Sequence, residues 1–357
     1  MKIRVIIIIF LLIPLIQCAS DTMYTNKDVQ KPSETIKTSD IHAGLEGDFL
    51  FYVSNDNSAG DVWLYNLNSN NKWQITRTGE EDLRIISFSP SYKFMIYHTE
   101  KEKNVIYNIG SGDEMDFYSS YNQEYKFSPF NDVCWNDAQS FYFLSSTNNL
   151  STNIFFAELN KDEEWVFNKL DLARVIPGIQ NENIYSMALS YNKELLAYIA
   201  RDPVGQMYIY IYNLKQEQNN KLTPVRQKSE LVWSENNKNI YFYDDMTIYS
   251  INFQGAKELA VSSSKKIYRM KYHPDSKFKF LYILNSDNYF FLYVKNVDYM
   301  GAGDFYCNVM NLNDFCKVKG SDLLFYDNTG NEIYYFNTKT SEIRKIIDHA
   351  SLYKLTP

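Results

Sequence analysis

An all-β fold, a β-propeller of four-stranded antiparallel blades, is what three observations on this sequence predict. The first is a recurring phrase: a short strand ending in an apolar anchor, a polar turn with a Lys, then a second apolar strand ending near Tyr. It reads Ile86 to Tyr97, Leu231 to Tyr243 and Met270 to Tyr282. The second is composition, with 30 Tyr and 23 Phe against 13 Gly, the aromatic bias that sheets use. The third is spacing. The anchors Phe88, Trp135, Leu189, Trp233 and Tyr272 fall 39 to 54 residues apart, a period at which small sheets stack to bury faces they cannot bury alone.

Seven segments fit one plan. An apolar strand comes first: Phe49 to Val53, Phe94 to Tyr97, Phe141 to Leu144, Leu195 to Ile199, Ile240 to Tyr243, Phe280 to Leu284 and Leu323 to Tyr326. An aromatic-rich strand follows it: Asp61 to Leu67, Asn104 to Ile109, Asn153 to Leu159, Met207 to Leu214, Met246 to Ile251, Tyr289 to Val294 and Glu332 to Asn337. Period-2 alternation in several of these marks strands. Links such as Ser54 to Gly60 and Asp327 to Asn331 carry the Asn, Asp and Gly that hairpins favour. A weaker polar strand closes each unit, as at Trp73 to Thr76, Lys221 to Thr223 and Ile343 to Ile346, which suits an edge facing water. The anchors belong to the innermost strand. Counting the first and last copies predicts seven blades, with six or eight as alternatives, and Glu163 to Asn183 reads as a long insertion in the third.

The N-terminus is read separately. Lys2 and Arg4 precede an apolar run from Val5 to Ile16, too short to span a bilayer, so residues 1–17 read as a secretion signal. Residues 18–41 read as Cys18 followed by a flexible tether, since 19–41 are polar and lack apolar periodicity. The propeller then occupies 42–357 as one domain. Thirty-six basic and 43 acidic side chains give a net charge of −7, which argues against a nucleic-acid groove. Cys134 reads as a small buried hydrophobe beside Trp135. Cys307 and Cys316 flank a turn-like Asn311 to Asp314, and a disulfide between neighbouring strands is an open reading.

No linear catalytic motif appears, so the expectation is a chain that is not an enzyme and needs no metal or cofactor. His42, His98, His273 and His349 are scattered and read as structural. The carboxylate groups Glu80-Glu81-Asp82, Asp244-Asp245 and Glu163-Glu164 read as solvated turns. Asp56 to Asp61 has a faint calcium-loop character, but Leu67 stands where such a loop needs a Glu. Aromatic runs such as Tyr289-Phe290-Phe291 read as packing. The competing reading, a hydrolase, lyase or glycan-binding site in the central funnel, requires two or more of Asp56, Glu81, Asp137, His98 and His273 to converge.

Three resemblances add to this. Phe88-Ser89-Pro90-Ser91-Tyr92-Lys93, Trp233-Ser234-Glu235-Asn236-Asn237-Lys238 and Tyr272-His273-Pro274-Asp275-Ser276-Lys277 are similar to the blade turn of TolB-like, WD40-like repeats, and Ile75-Thr76 and Leu222-Thr223 to their outer strand. The turn Gly of that family is missing in all three, and Leu189-Ser190-Tyr191-Asn192-Lys193 lacks the aromatic. Leu15-Ile16-Gln17-Cys18 resembles the bacterial lipobox, with Gln17 departing from its usual small residue. That resemblance implies lipidation of Cys18 and a membrane anchor. A lipid-anchored propeller resembles, in architecture only, the BamB-type accessory lipoproteins of outer-membrane barrel assembly. The implied role is a protein-binding scaffold of the cell envelope, in the outer membrane with the propeller in the periplasm, or at the cell surface. The expected partner is an envelope protein such as an outer-membrane assembly complex.

Overall fold

The computed structural model describes residues 49–54, 60–77, 83–99, 103–117, 127, 130, 132–146, 152–170, 184–263, 266–275, 278–286, 289–295, 304–310, 312–317, 323–327, 332–337 and 342–347, and for some of these the backbone alone. The described elements are all strands and lie within one compact unit, residues 31–357. They form seven antiparallel sheets. The first holds β1 (Phe49–Ser54), β2 (Asp61–Asn66) and β3 (Lys72–Gln74). The second holds β4 (Leu83–Phe88), β5 (Phe94–Thr99), β6 (Asn104–Asn108) and β7 (Glu114–Asp116). The third holds β8 (Asp132–Trp135), β9 (Ser140–Ser146), β10 (Thr152–Leu159) and β11 (Trp165–Lys169). The fourth holds β12 (Ile184–Leu189), β13 (Leu195–Arg201), β14 (Met207–Asn213) and β15 (Gln218–Pro224). The fifth holds β16 (Val232–Trp233), β17 (Asn239–Asp244), β18 (Thr247–Asn252) and β19 (Lys257–Ser262). The sixth holds β20 (Ile267–Asp275), β21 (Phe278–Ser286), β22 (Tyr289–Lys295) and β23 (Asp304–Met310). The seventh holds β24 (Leu312–Lys317), β25 (Leu323–Asp327), β26 (Glu332–Asn337) and β27 (Glu342–Ile347).

Strand order follows chain order in every sheet, so each is a simple meander. The first strands of successive sheets lie beside one another: β4 by β8, β8 by β12, β12 by β16 and β16 by β20. The wedge-like stacking follows from which side chains the second strand of each sheet buries. In β13, Leu196, Tyr198 and Ala200 pack with Tyr142, Leu144 and Ile154 of the third sheet. The alternate residues Ala197 and Ile199 pack with Trp233, Ile240 and Phe242 of the fifth. Likewise β9 sends Phe141 and Phe143 against Phe94, Ile96 and Ile106 of the second sheet, and Tyr142 and Leu144 against the fourth. A strand buried on both faces needs a near-continuous apolar run, which is what Phe141 to Leu144 and Leu195 to Ala200 supply. Each fully buried large apolar side chain contributes about 1.5–3 kcal/mol.

The same alternation joins the last sheet to the first. In β1, Phe51 and Val53 pack with Met95 and Tyr97 of the second sheet, while Leu50 and Tyr52 pack with Ile333 and Ile347 of the seventh. Residues nearly 300 positions apart in sequence therefore share one apolar layer, and the array bends back on itself as a β-propeller does.

Two expectations change at this level. Glu163 to Asn183 is not wholly an insertion, because Trp165–Lys169 is the fourth strand of the third sheet. Trp165 and Phe167 alternate inward against Phe94 and Phe117, so five residues suffice to fix the strand. The turn expected at Asn311 to Asp314 is instead a boundary: β23 ends at Met310 and β24 of the next sheet begins at Leu312.

The turn after the anchor is built the same way three times. Ser89, Ser190 and Ser234 each donate their backbone N–H to the carbonyl of the residue five positions on, at 2.9 Å. Their hydroxyls also accept that residue's N–H, from Phe94 at 3.0 Å, Leu195 at 3.0 Å and Asn239 at 2.9 Å. The missing Gly leaves Tyr92, Lys193 and Asn237 in the left-handed region, at φ of 53°, 59° and 57°.

Candidate functional site

Inter-sheet bonds along the first strands tie neighbouring sheets to one another. Trp135 Nε1 donates to Ser87 Oγ at 3.1 Å, and Trp233 Nε1 donates to the Ala188 carbonyl at 2.8 Å. In both, the anchor indole reaches the residue just before the preceding anchor. The carboxylate three residues before the anchor reaches the other way. Asp132 Oδ2 accepts from Met187 N at 3.2 Å, and Glu230 Oε2 accepts from Met270 N at 2.9 Å.

Each four-stranded sheet has one end where the first and third strands begin and the second and fourth finish. In the fourth sheet this end gathers Tyr185 near the start of β12, Arg201 closing β13, and Lys228 in the link from β15 to β16. Arg201 Nε donates to the Tyr185 hydroxyl oxygen at 2.7 Å, and Arg201 Nη1 donates to the Gly205 carbonyl at 3.2 Å. Lys228 Nζ stands 4.5 Å from the Tyr185 ring centroid. Both cations are exposed, and among the described residues neither is paired with a carboxylate. Val204 projects into solvent at 86% exposure, and Met246, on the matching loop of the fifth sheet, is 41% exposed.

The loop carrying Val204 is fixed from beneath. Asp202 is buried; its Oδ1 accepts from Val204 N at 3.1 Å and Gln206 N at 3.0 Å, and its Oδ2 accepts from Lys221 Nζ at 2.9 Å. The Lys221 ammonium holds the Asp202 carboxyl below its ordinary value, against the opposing effect of burial, with help from the two backbone donors. Gly205 adopts φ +85°, which glycine tolerates without strain. Lys221 also sits 3.5 Å from the Tyr208 ring centroid, so it is spent on the loop.

The residues singled out in the sequence lie elsewhere. His98 is near the end of β5, with Nδ1 3.0 Å from the Lys103 carbonyl. Asp137 sits in the turn after β8, at the opposite end of its sheet, where its Oδ1 accepts from Gln139 N at 2.8 Å. The two are therefore not brought together. Asp61 accepts from Gln74 Nε2 and Thr76 Oγ1, a structural role for the end of the calcium-like stretch. Asp244 ends β17 and faces Arg226 Nε at 3.9 Å, while Asp245 turns the chain at φ 54°. Glu163 and Glu164 belong to the turn before β11, with Glu163 at φ 62°. Cys134 is half-buried rather than fully buried, with Sγ 3.8 Å from the Met187 carbonyl. Phe88, Trp135, Leu189, Trp233 and Tyr272 all fall on first strands. Cys307 is on the fourth strand of the sixth sheet and Cys316 on the first strand of the seventh, backbone only. Cys18, His42, Asp56, Glu80, Glu81, Asp82 and His349 lie outside the described residues, as do the side chains of His273 and of Tyr289 to Phe291.

Among the described residues no three His, Cys, Asp or Glu side chains gather closely enough to hold a metal ion. A shallow groove of about 190 Å³ between the second and third sheets is lined by Lys93, Asp113, Glu114, Glu163 and Trp165 among others. Tyr185, Arg201 and Lys228 carried no signal in the sequence. They span 43 positions and meet only because a meander returns β13 to the start of β12.

No protein-family model matches the chain, and neither does any curated protein. Solved structures do. The periplasmic gluconolactonase PpgL of Pseudomonas aeruginosa is 10% identical at a TM-score of 0.56, covering 87% of this chain and 99% of its own. The oligogalacturonate lyase of Vibrio parahaemolyticus is 11% identical at 0.55, covering 85% and 87%. The β-propeller domain of Cps50 (Swd1) from Myceliophteria thermophila is 11% identical at 0.57, covering 81% and 93%. At such identities the likeness establishes the fold, a β-propeller. It also corrects the expectation that this chain is not an enzyme. That expectation rested on the absence of a linear motif, yet two of these three propellers are named as enzymes. A site assembled from loops of several sheets draws on residues a full repeat apart, so it leaves no contiguous signature.

Proposed function

We propose that this chain is a lipid-anchored β-propeller of the cell envelope that binds a protein partner through one end of its sheets. One observation carries the binding reading. Arg201, Lys228, Val204 and Met246 stand in solvent on loops and strand ends pinned to a cross-braced scaffold. Rigid scaffolds that present exposed loops are the usual setting for recognition. The anchoring half is supported by sequence: a basic start, an apolar run and Leu15-Ile16-Gln17-Cys18, followed by a polar tether. Several acyl chains on Cys18 would moor the protein firmly. In this reading the body lies in the periplasm beneath the outer membrane, and an outer-membrane assembly complex is the partner to test first.

Mass spectrometry of the mature N-terminus, with fractionation of a Cys18→Ser variant, tests the anchoring half. An acylated Cys18, and release of the variant from membranes, support it. An unmodified start downstream of Cys18 overturns it.

A second reading is favoured by the two similar propellers named as a gluconolactonase and an oligogalacturonate lyase. It places a hydrolase or lyase site, or a glycan site, in the funnel. Turnover of a lactone and acidic-oligosaccharide panel by the purified chain decides it.

A further inference from the structure

We propose that Tyr185, Arg201, Lys228 and Val204 form a docking point for an acidic, apolar-studded segment of a protein partner. The inference deepens the scaffold reading above and rests on it. Three donors are available at the cluster. The Tyr185 hydroxyl accepts from Arg201 and keeps its own hydrogen to donate. Arg201 spends Nε on Tyr185 and Nη1 on Gly205, which leaves Nη2 to donate. Lys228 touches only the face of the Tyr185 ring.

Among the described residues no carboxylate is paired with either cation: Asp202 is bound to Lys221, Glu230 accepts the Met270 N–H, Asp244 faces Arg226, and Asp245 is exposed on the loop of Met246. Two unpaired positive charges beside a hydroxyl donor are matched by a carboxylate, with Arg201 offering a charge-assisted bond.

The class of ligand follows from the apolar companions. Val204 and Met246 project from loops of adjacent sheets at the same end, apolar surface that suits a partner with apolar side chains. Aromatic, Arg and exposed apolar residues on a preorganised loop are the composition of a protein interface centre. Asp202 and Gly205 hold that loop in shape before binding, which lowers the ordering cost.

The test uses the full chain in detergent and a fluorescent peptide of about 15 residues, Glu with Leu at every fourth position, with a Gln/Leu peptide as control. Arg201→Glu with Lys228→Glu is compared with Lys161→Glu and Lys238→Glu, an equal charge change in turns at the opposite end. The proposal expects the first pair to weaken Glu/Leu binding about tenfold or more, and the second pair to change it less than about twofold. Val204→Glu, at a fully solvated position, is expected to weaken it as well and keeps the test readable if the double variant does not fold. Equal weakening by both pairs overturns the site, as does equal affinity for the Gln/Leu peptide. Tighter binding of polygalacturonate at the same residues overturns the protein class. Loss of the site with Cys18 still acylated leaves the anchoring half of that reading standing.

Discussion

Asp132 accepts a hydrogen bond from the backbone N–H of Met187 across the boundary between the third and fourth sheets, at 3.2 Å. Glu230 and Met270 repeat that contact at 2.9 Å, from the same positions relative to their anchors. Removing the acceptor leaves a covered N–H without a partner, which costs about 1–3 kcal/mol. Asp132→Ala and Glu230→Ala are therefore expected to lower the free energy of urea unfolding by that amount. Glu230→Gln, which keeps an acceptor oxygen, is expected to lose less.

The anchor indoles make a second prediction. Trp233 is almost fully buried and donates to the Ala188 carbonyl. Trp233→Phe keeps most of the volume but strands that carbonyl, at about 1–3 kcal/mol. Trp233→Ala adds a cavity between the fourth and fifth sheets and should cost about 3–5 kcal/mol. Chemical denaturation of the two variants separates the hydrogen bond from the packing.

Alkaline pH provides a third. Burial, then the neighbouring Tyr212 and Asp137, push the Tyr142 hydroxyl from 10.0 up to about 12. The unfolded chain releases this proton first, so folded stability is full below pH 10 and declines as pH rises toward 12. Unfolding followed across that interval should show the decline, and Tyr142→Phe should flatten it.

Asp202 titrates in the opposite sense. Its carboxyl is held below the ordinary value by Lys221, so its contribution is complete above about pH 4 and disappears as pH falls through the lower folded value. The amide signals of Val204 and Gln206, which Asp202 accepts, should report a midpoint below about 4 by NMR. Lys221→Met should move that midpoint upward; no movement would separate Lys221 from the loop.

Much of the fold is written in the apolar runs. Strands such as Phe141 to Leu144 must bury both faces, and a continuous run leaves little else for them to be. The anchor turns are visible as a phrase, but they depart from the resembled family's turn by lacking its Gly. That absence is no defect, because the hydroxyls of Ser89, Ser190 and Ser234 close the turn around a left-handed Tyr92, Lys193 or Asn237. Tyr92 also stacks on Phe51 of the first sheet, with centroids 6.0 Å apart, so Gly there would lose packing.

What stayed hidden is of two kinds. Trp165–Lys169 follows a polar turn, and two inward side chains in five residues are too few to distinguish a strand from a loop. The cluster at Tyr185, Arg201 and Lys228 has no spacing to recognise, since its members meet only through the meander of the fourth sheet. The same logic undid the argument against catalysis from missing motifs.

Site-specific photo-crosslinking in intact cells tests the central claim most directly, with the reactive residue at Val204 in one strain and at Lys238, in a turn at the opposite end, in another. The account predicts a discrete protein adduct from Val204, lost when Arg201 and Lys228 are reversed to Glu, and none from Lys238. Adducts of equal yield from both ends, or none from Val204 in membranes that retain the protein, would contradict it.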